Sequence, residues 1–218
     1  MMAKGEGKVW VCDSYLNSTI VKRFTLLPEQ SSPDYKVEMY RWGEIQEKYR
    51  QGLKLANDEL PREAYGKYQD TRFKKLPEFF NIEGALIVSG KFAEVLRGFE
   101  IGDTDLSPVD LYQGNRFEKI EGPWLFLNIG CHKHAFLPEK SMGGYRFPDH
   151  WPSGKARVGL PKDNEIAVAH SALEGCDLWY DPGLYGAFFI SGPLEAALKE
   201  AKVTRTLRRH RCAVVDDD

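Results

Sequence analysis

The sequence predicts an α+β fold built mainly on antiparallel sheet, and three observations carry that expectation. An apolar run of strand length, Gly84 to Val88, leads directly into Ser89 and then into a helical apolar face. The same strand, serine, helix order returns 102 residues later, from Gly186 onward. Between the two copies, Leu106 to Tyr112, Trp124 to Ile129 and Glu165 to His170 read as further strands, the last with alternating pattern.

Taken in order, Lys8 to Cys12 is short and rich in Val and Trp and reads as the first strand; Tyr35 to Tyr40 alternates and reads as the second. From Trp42 to Ala56 the residues Ile45, Tyr49, Leu53 and Ala56 fall at steps of three and four, which predicts an amphipathic helix in spite of Gly43 and Gly52. Asn57 to Lys75 reads as a connecting region with room for one short helix. Residues 1–75 are expected to form an N-terminal region packed on a main domain, residues 76–218, that holds both copies of the unit.

Each copy has a physical rationale. Ser89 is placed to cap a helix, its hydroxyl accepting from a free N–H of the first turn. Phe92, Val95, Leu96 and Phe99 then recur on one face, and Gly98 or Gly102 can end the helix. In the second copy Ser191 takes the cap, Pro193 suits the first turn, where no N–H is needed, and Leu194, Ala197, Leu198 and Ala201 share a face. Five of thirteen aligned positions are identical: Gly84 with Gly186, Ala85 with Ala187, Ser89 with Ser191, Gly90 with Gly192 and Leu96 with Leu198. Between the copies Pro138 to Asp163, dense in Gly and Pro, reads as a long irregular loop, a feature that commonly carries function.

Composition narrows the function classes. Over 218 residues, 42% hydrophobic and 28% charged is ordinary for a globular chain, and a formal net charge of -2 supplies no field for nucleic acid or an anionic membrane. No apolar run approaches the roughly 20 residues that span a bilayer, and no apolar signal segment follows the first residues. Cys12, Cys131, Cys176 and Cys212 are far apart with no CxxC pair, which predicts reduced thiols and a cytoplasmic location.

Catalytic motifs are scarce. Ser89 and Ser191 lack the Gly-x-Ser-x-Gly frame of a nucleophile elbow, so capping explains them. Cys131, His132 and His134 could act as a nucleophile with its base or as metal ligands, yet no second ligand pair at zinc-site spacing accompanies them. The basic stretch Lys202 to Arg211 lacks interleaved aromatics and is followed by Asp216, Asp217 and Asp218, so it reads as a charged edge. The irregular loop gathers Tyr145, Arg146, Phe147, His150 and Trp151, residue types that anchor protein interfaces. The alternative is that its aromatics fold back to pin the loop to the core.

One resemblance enters here. Lys74-Lys75-Leu76-Pro77-Glu78-Phe79, followed by Leu86-Ile87-Val88-Ser89 and a helix, resembles the "KKxPDF … VVS" core of a bacterial immunity-protein family, the eleventh of the polymorphic-toxin immunity series. Asp177-Leu178-Trp179-Tyr180-Asp181, then Phe188-Phe189-Ile190-Ser191 and a helix ending near Leu198, resembles its "DLWxD … LFVS" close. The match runs from Phe73 to Val203; Glu78 stands where the pattern has Asp, and the N-terminal third adds nothing to it. The resemblance implies an antitoxin that binds a cognate secreted toxin, with no catalytic residues, no metal and no cofactor. The expected partner is that protein, with a homodimer left open and neither nucleic acid nor membrane involved. A small enzyme or metal-binding protein using Cys131 and His134 is the rival reading.

Overall fold

The computed structural model describes residues 5–13, 17–56, 58–70, 72–147 and 155–216. In chain order they form β1 (Val9–Cys12), β2 (Phe24–Thr25), α1 (Tyr35–Arg50), β3 (Glu63–Gly66), β4 (Phe79–Ile82), β5 (Ala85–Ser89), α2 (Gly90–Arg97), β6 (Asp105–Tyr112) and β7 (Trp124–Asn128). Then follow β8 (Tyr145–Arg146), β9 (Ala156–Val158), β10 (Ala167–Ala169), β11 (Leu178–Trp179), β12 (Leu184–Tyr185), β13 (Phe188–Ser191), α3 (Gly192–Glu200), β14 (Arg209–Arg211) and β15 (Ala213–Val215). The fold is α+β with mostly antiparallel pairing. A six-stranded sheet runs β2-β3-β6-β7-β5-β4 and a four-stranded sheet β11-β13-β1-β14; smaller sheets are β12-β9-β8 and β10-β15.

The two sheets repeat one arrangement. In the first, β5 pairs with β4 on one side and β7 on the other, and β6 lies beyond β7. In the second, β13 pairs with β11 and β1, and β14 lies beyond β1. Strand register makes Ser89 face Trp124, and Ser191 face Val9. The second unit is therefore a permuted copy: its third strand, β1, comes from far upstream instead of following its helix.

The second sheet is apolar on both faces, which explains the unbroken run Ala187 to Ile190. Cys12, Leu178, Phe188 and Ile190 enter the main core with α1, α2 and the six-stranded sheet. Val9, Val11, Trp179 and Phe189 enter a second core against Phe136, Val158 and Leu184. The alternation is the period of two that a strand imposes.

Several expectations are corrected. Tyr35 to Tyr40 is helix, not strand, and the helix expected over Trp42 to Ala56 instead runs Tyr35–Arg50. Only Trp42, Ile45 and Tyr49 of its apolar residues are buried, so its first turns carry no helical burial period. Gly52, at φ 73°, follows its end, and a Cβ there would meet the Tyr180 ring at 2.7 Å. The connecting region holds β3 rather than a helix. The irregular segment Pro138 to Asp163 contains β8 and β9, and β10 pairs in parallel with β15. Cys131 and Cys176 form a disulfide across 45 residues of sequence, while Cys12 and Cys212 are free and buried. The expectation of four reduced thiols fails because the fold, not the spacing, brings that pair together. No helix among the described residues is long and apolar enough to cross a membrane.

Candidate functional site

The serines are structural. Ser89 Oγ accepts from the Phe92 N–H and Ser191 Oγ from the Leu194 N–H, each at 3.2 Å. Each hydroxyl also donates to the carboxylate opening the neighbouring strand, Glu78 for Ser89 and Asp177 for Ser191. Each serine N–H donates to the carbonyl of that same acid at 2.9 Å. A hairpin and a helix start are thus locked by one acid and one serine, twice. Donor and acceptor functions of both hydroxyls are thus occupied in holding a helix start to the strand beside it.

The Cys131, His132, His134 cluster is likewise taken apart. Cys131 is bonded to Cys176. His132 Nε2 lies 2.6 Å from the Gly52 carbonyl, tying β7's exit to the end of α1, and His134 is exposed. No group of three or more His, Cys, Asp or Glu side chains among the described residues is placed to hold a metal ion. Next to them Lys133 extends over the Trp179 ring, 3.8 Å from its centroid, and donates to the Ala172 carbonyl at 3.0 Å. Burial pushes its pKa down to about 8, against the pull of Asp177 and Glu174.

The loop residues differ in how they are held. Tyr145, on β8, is held: its hydroxyl donates to the Pro138 carbonyl at 2.7 Å, and its ring meets Phe136 edge-on at 5.3 Å. Arg146 is exposed, and Phe147, packed edge-on to Tyr145 at 5.6 Å, is 54% exposed. His150 and Trp151 lie outside the described residues. Among the described residues β8 is an edge strand, pairing with β9 alone. Two residues in the same stretch that the sequence reading did not single out are also exposed: Met142 at 80% and Leu160 at 72%. Gly144 (φ 74°) bends the chain between them, with its carbonyl accepting from Gly159 at 2.7 Å. The available signal was apolar side chains inside a Gly/Pro-rich stretch with no periodicity to bury them.

A second polar constellation gave no sequence signal, because three separate segments build it. Tyr65 and Tyr112 face each other across β3 and β6 with rings stacked at 5.5 Å. Glu63 accepts from both hydroxyls. The Arg116 guanidinium sits 4.4 Å from the centre of the Tyr65 ring. Partial burial and then the Glu63 carboxylate push the Tyr65 hydroxyl up to about 12, so both rings stay neutral donors at ordinary pH.

Chemically, this is a molecule with exposed aromatic, apolar and arginine groups on shaped surfaces and with its candidate nucleophiles committed elsewhere. No protein-family model and no curated protein matches the chain.

Proposed function

We propose that this protein is an immunity protein that binds a cognate toxin in a stoichiometric complex and blocks it. One observation carries the reading: Met142, Arg146, Phe147 and Leu160, on β8 and the chain around it, are each exposed, on a backbone that Tyr145 anchors to the core. Aromatic and arginine groups on a rigid support are what interface hot spots are made of, and grouped apolar exposure marks docking surfaces. The motif order around both serine units supports the same class. Neutralising a toxin requires a dissociation constant on the order of nanomolar or tighter.

The test is capture of a toxin encoded beside this protein's gene, using the full chain as bait, followed by titration of Phe147→Ala and Arg146→Ala. Each substitution should weaken binding by about 2 kcal/mol without lowering thermal stability. Recovery of no such toxin would sink the reading, and wild-type affinity in both variants would move the contact elsewhere. The Cys131–Cys176 disulfide favours action in an oxidising compartment over the cytoplasm. Alkylating thiols in intact cells before the capture decides this, since a pair already alkylated as free thiols restores the cytoplasmic placement.

A further inference from the structure

Strand β6 is longer than its neighbour. β7 flanks it along Asp105–Val109, whereas β3 reaches only Asp110–Tyr112. The Asp110 N–H donates toward β3, to the Arg62 carbonyl at 2.9 Å. Backbone groups alternate sides along a strand, so those of Leu106 and Pro108 point the same way, where no strand among the described residues lies against them. Pro108 fits this side because its ring nitrogen would forfeit a ladder bond if it faced β7. Against this free half lies a groove of about 530 Å³ whose other wall is Leu60, Pro61 and Arg62. At Pro61, Arg62 and Asp110 it meets a second groove of about 710 Å³, which runs past Glu63 and Tyr65 to Glu29, Asp34 and Glu38.

The lining of this path holds more carboxylates than cations. Six carboxylates (Glu29, Asp34, Glu38, Glu63, Asp105 and Asp110) line it against Arg62 and Arg116. Glu63 and Asp110 stand directly opposite each other in register, an arrangement from which a sheet gains nothing by itself. Lys54 and Lys119 reach in from outside to Asp105 (3.1 Å) and Asp110 (2.7 Å), and Arg41 reaches Glu38 at 3.6 Å. Arg116 pairs with Glu29 at 3.7 Å. Apart from Arg116, these are well-exposed cations on flexible stems, and such pairs exchange at little cost.

We infer that the path is a docking groove for an extended, basic segment of a polypeptide partner, paired through its backbone with the free edge at Leu106 and through its cations with Glu63 and Asp110. Strand addition supplies main-chain bonds and the alternating side chains supply selectivity. Arg116 over Tyr65 already shows a guanidinium accommodated at this surface. The inference rests on the partner being a protein, as proposed above.

The probe is the peptide acetyl-Lys-Val-Lys-Val-Lys-amide, titrated into the isotope-labelled full chain and followed by amide chemical shifts. Saturable shifts confined to Leu60–Glu63 and Leu106–Asp110, weakened by salt and absent with acetyl-Glu-Val-Glu-Val-Glu-amide, are expected. The double variant Glu63→Gln, Asp110→Asn should bind about tenfold more weakly. Should that variant fail to fold, Arg62→Gln serves instead and should bind the basic peptide more tightly. No shifts at the groove, equal binding of the acidic peptide, or unchanged affinity in the variant measured would overturn the inference. That failure leaves toxin capture through the β8 surface standing, and a failed toxin search leaves the peptide result standing.

Discussion

The two strand-serine-helix units differ less in shape than in how they are closed. The first is assembled from one stretch of chain, Glu78 to Asn128; the second joins Asp177 to Arg211 with a strand from far upstream. The clamp is the same in both: an acid, a capping serine, and a glycine at close approach. A Cβ on Gly90 would meet the Pro123 ring at 2.3 Å, and one on Gly192 would meet the Gly5 carbonyl oxygen at 1.9 Å. The seam is not the same. In the first unit Leu106 pairs with Leu127 across β6 and β7; by register the equivalents in the second are Arg209 and Cys12. Where Asn128 holds Leu55 through two backbone bonds, the equivalent Asp13 is fully buried and bound by Arg208 at 2.7 Å. Arg209 is in turn bound to Glu195 at 2.6 Å. Both delivered strands bury apolar side chains, and the one delivered from a distance carries in addition, at its end, the ion pair of the buried Asp13 with Arg208, which only one register satisfies.

This contrast can be broken at its joints. The disulfide has no counterpart in the first unit, where Pro77 precedes the acid as Cys176 precedes Asp177. On the loop-entropy relation, closing 45 residues contributes about 4 kcal/mol, so Cys176→Ser should lower the denaturation midpoint by the largest amount of the set. Asp13→Ala strands a partly buried arginine and should cost about 3 kcal/mol in urea unfolding. Asn128→Ala should instead act through α1's exit at Leu55, and an equal response to both changes would mean the seams are alike after all. The capping serines should give the smallest effect: Ser89→Ala and Ser191→Ala each cost about 1 to 2 kcal/mol, adding when combined. A difference beyond about 1 kcal/mol between them would show that the clamps are not equivalent.

What the sequence made legible was local. The hairpin, the cap and the helix of each unit lie within a few residues of one another, so apolar runs and a well-placed serine disclose them. Tyr35 to Tyr40 misleads because the first turns of α1 leave Val37 and Tyr40 exposed, and the remaining pattern alternates. Strands of two or three residues, such as β8, β9 and β12, are too short for a period to show. The disulfide, the parallel pairing of β10 with β15 and the groove beside β6 are products of distant segments meeting. For the candidate site, residue type singled out Tyr145, Arg146 and Phe147 as candidates, and the anchoring of Tyr145 by Pro138 and Phe136 was not legible there. Glu63, Tyr65, Tyr112 and Arg116 were missed for the same reason that α1's end was: their meaning lies in a neighbour far along the chain.

The placement of β1 has a consequence for synthesis. Val9 pairs with Ser191, 182 residues later, and Trp10 with Arg211. At roughly 5 to 20 residues per second, the ribosome needs on the order of 10 to 40 seconds to deliver those partners. Throughout that interval the first unit can finish folding while Val9, Trp10 and Val11 wait as an unpaired apolar ribbon. The nascent chain is thus exposed to chaperones and to wrong pairing at β1, and strands made much later, β13 and β14, decide whether β1 finds its place.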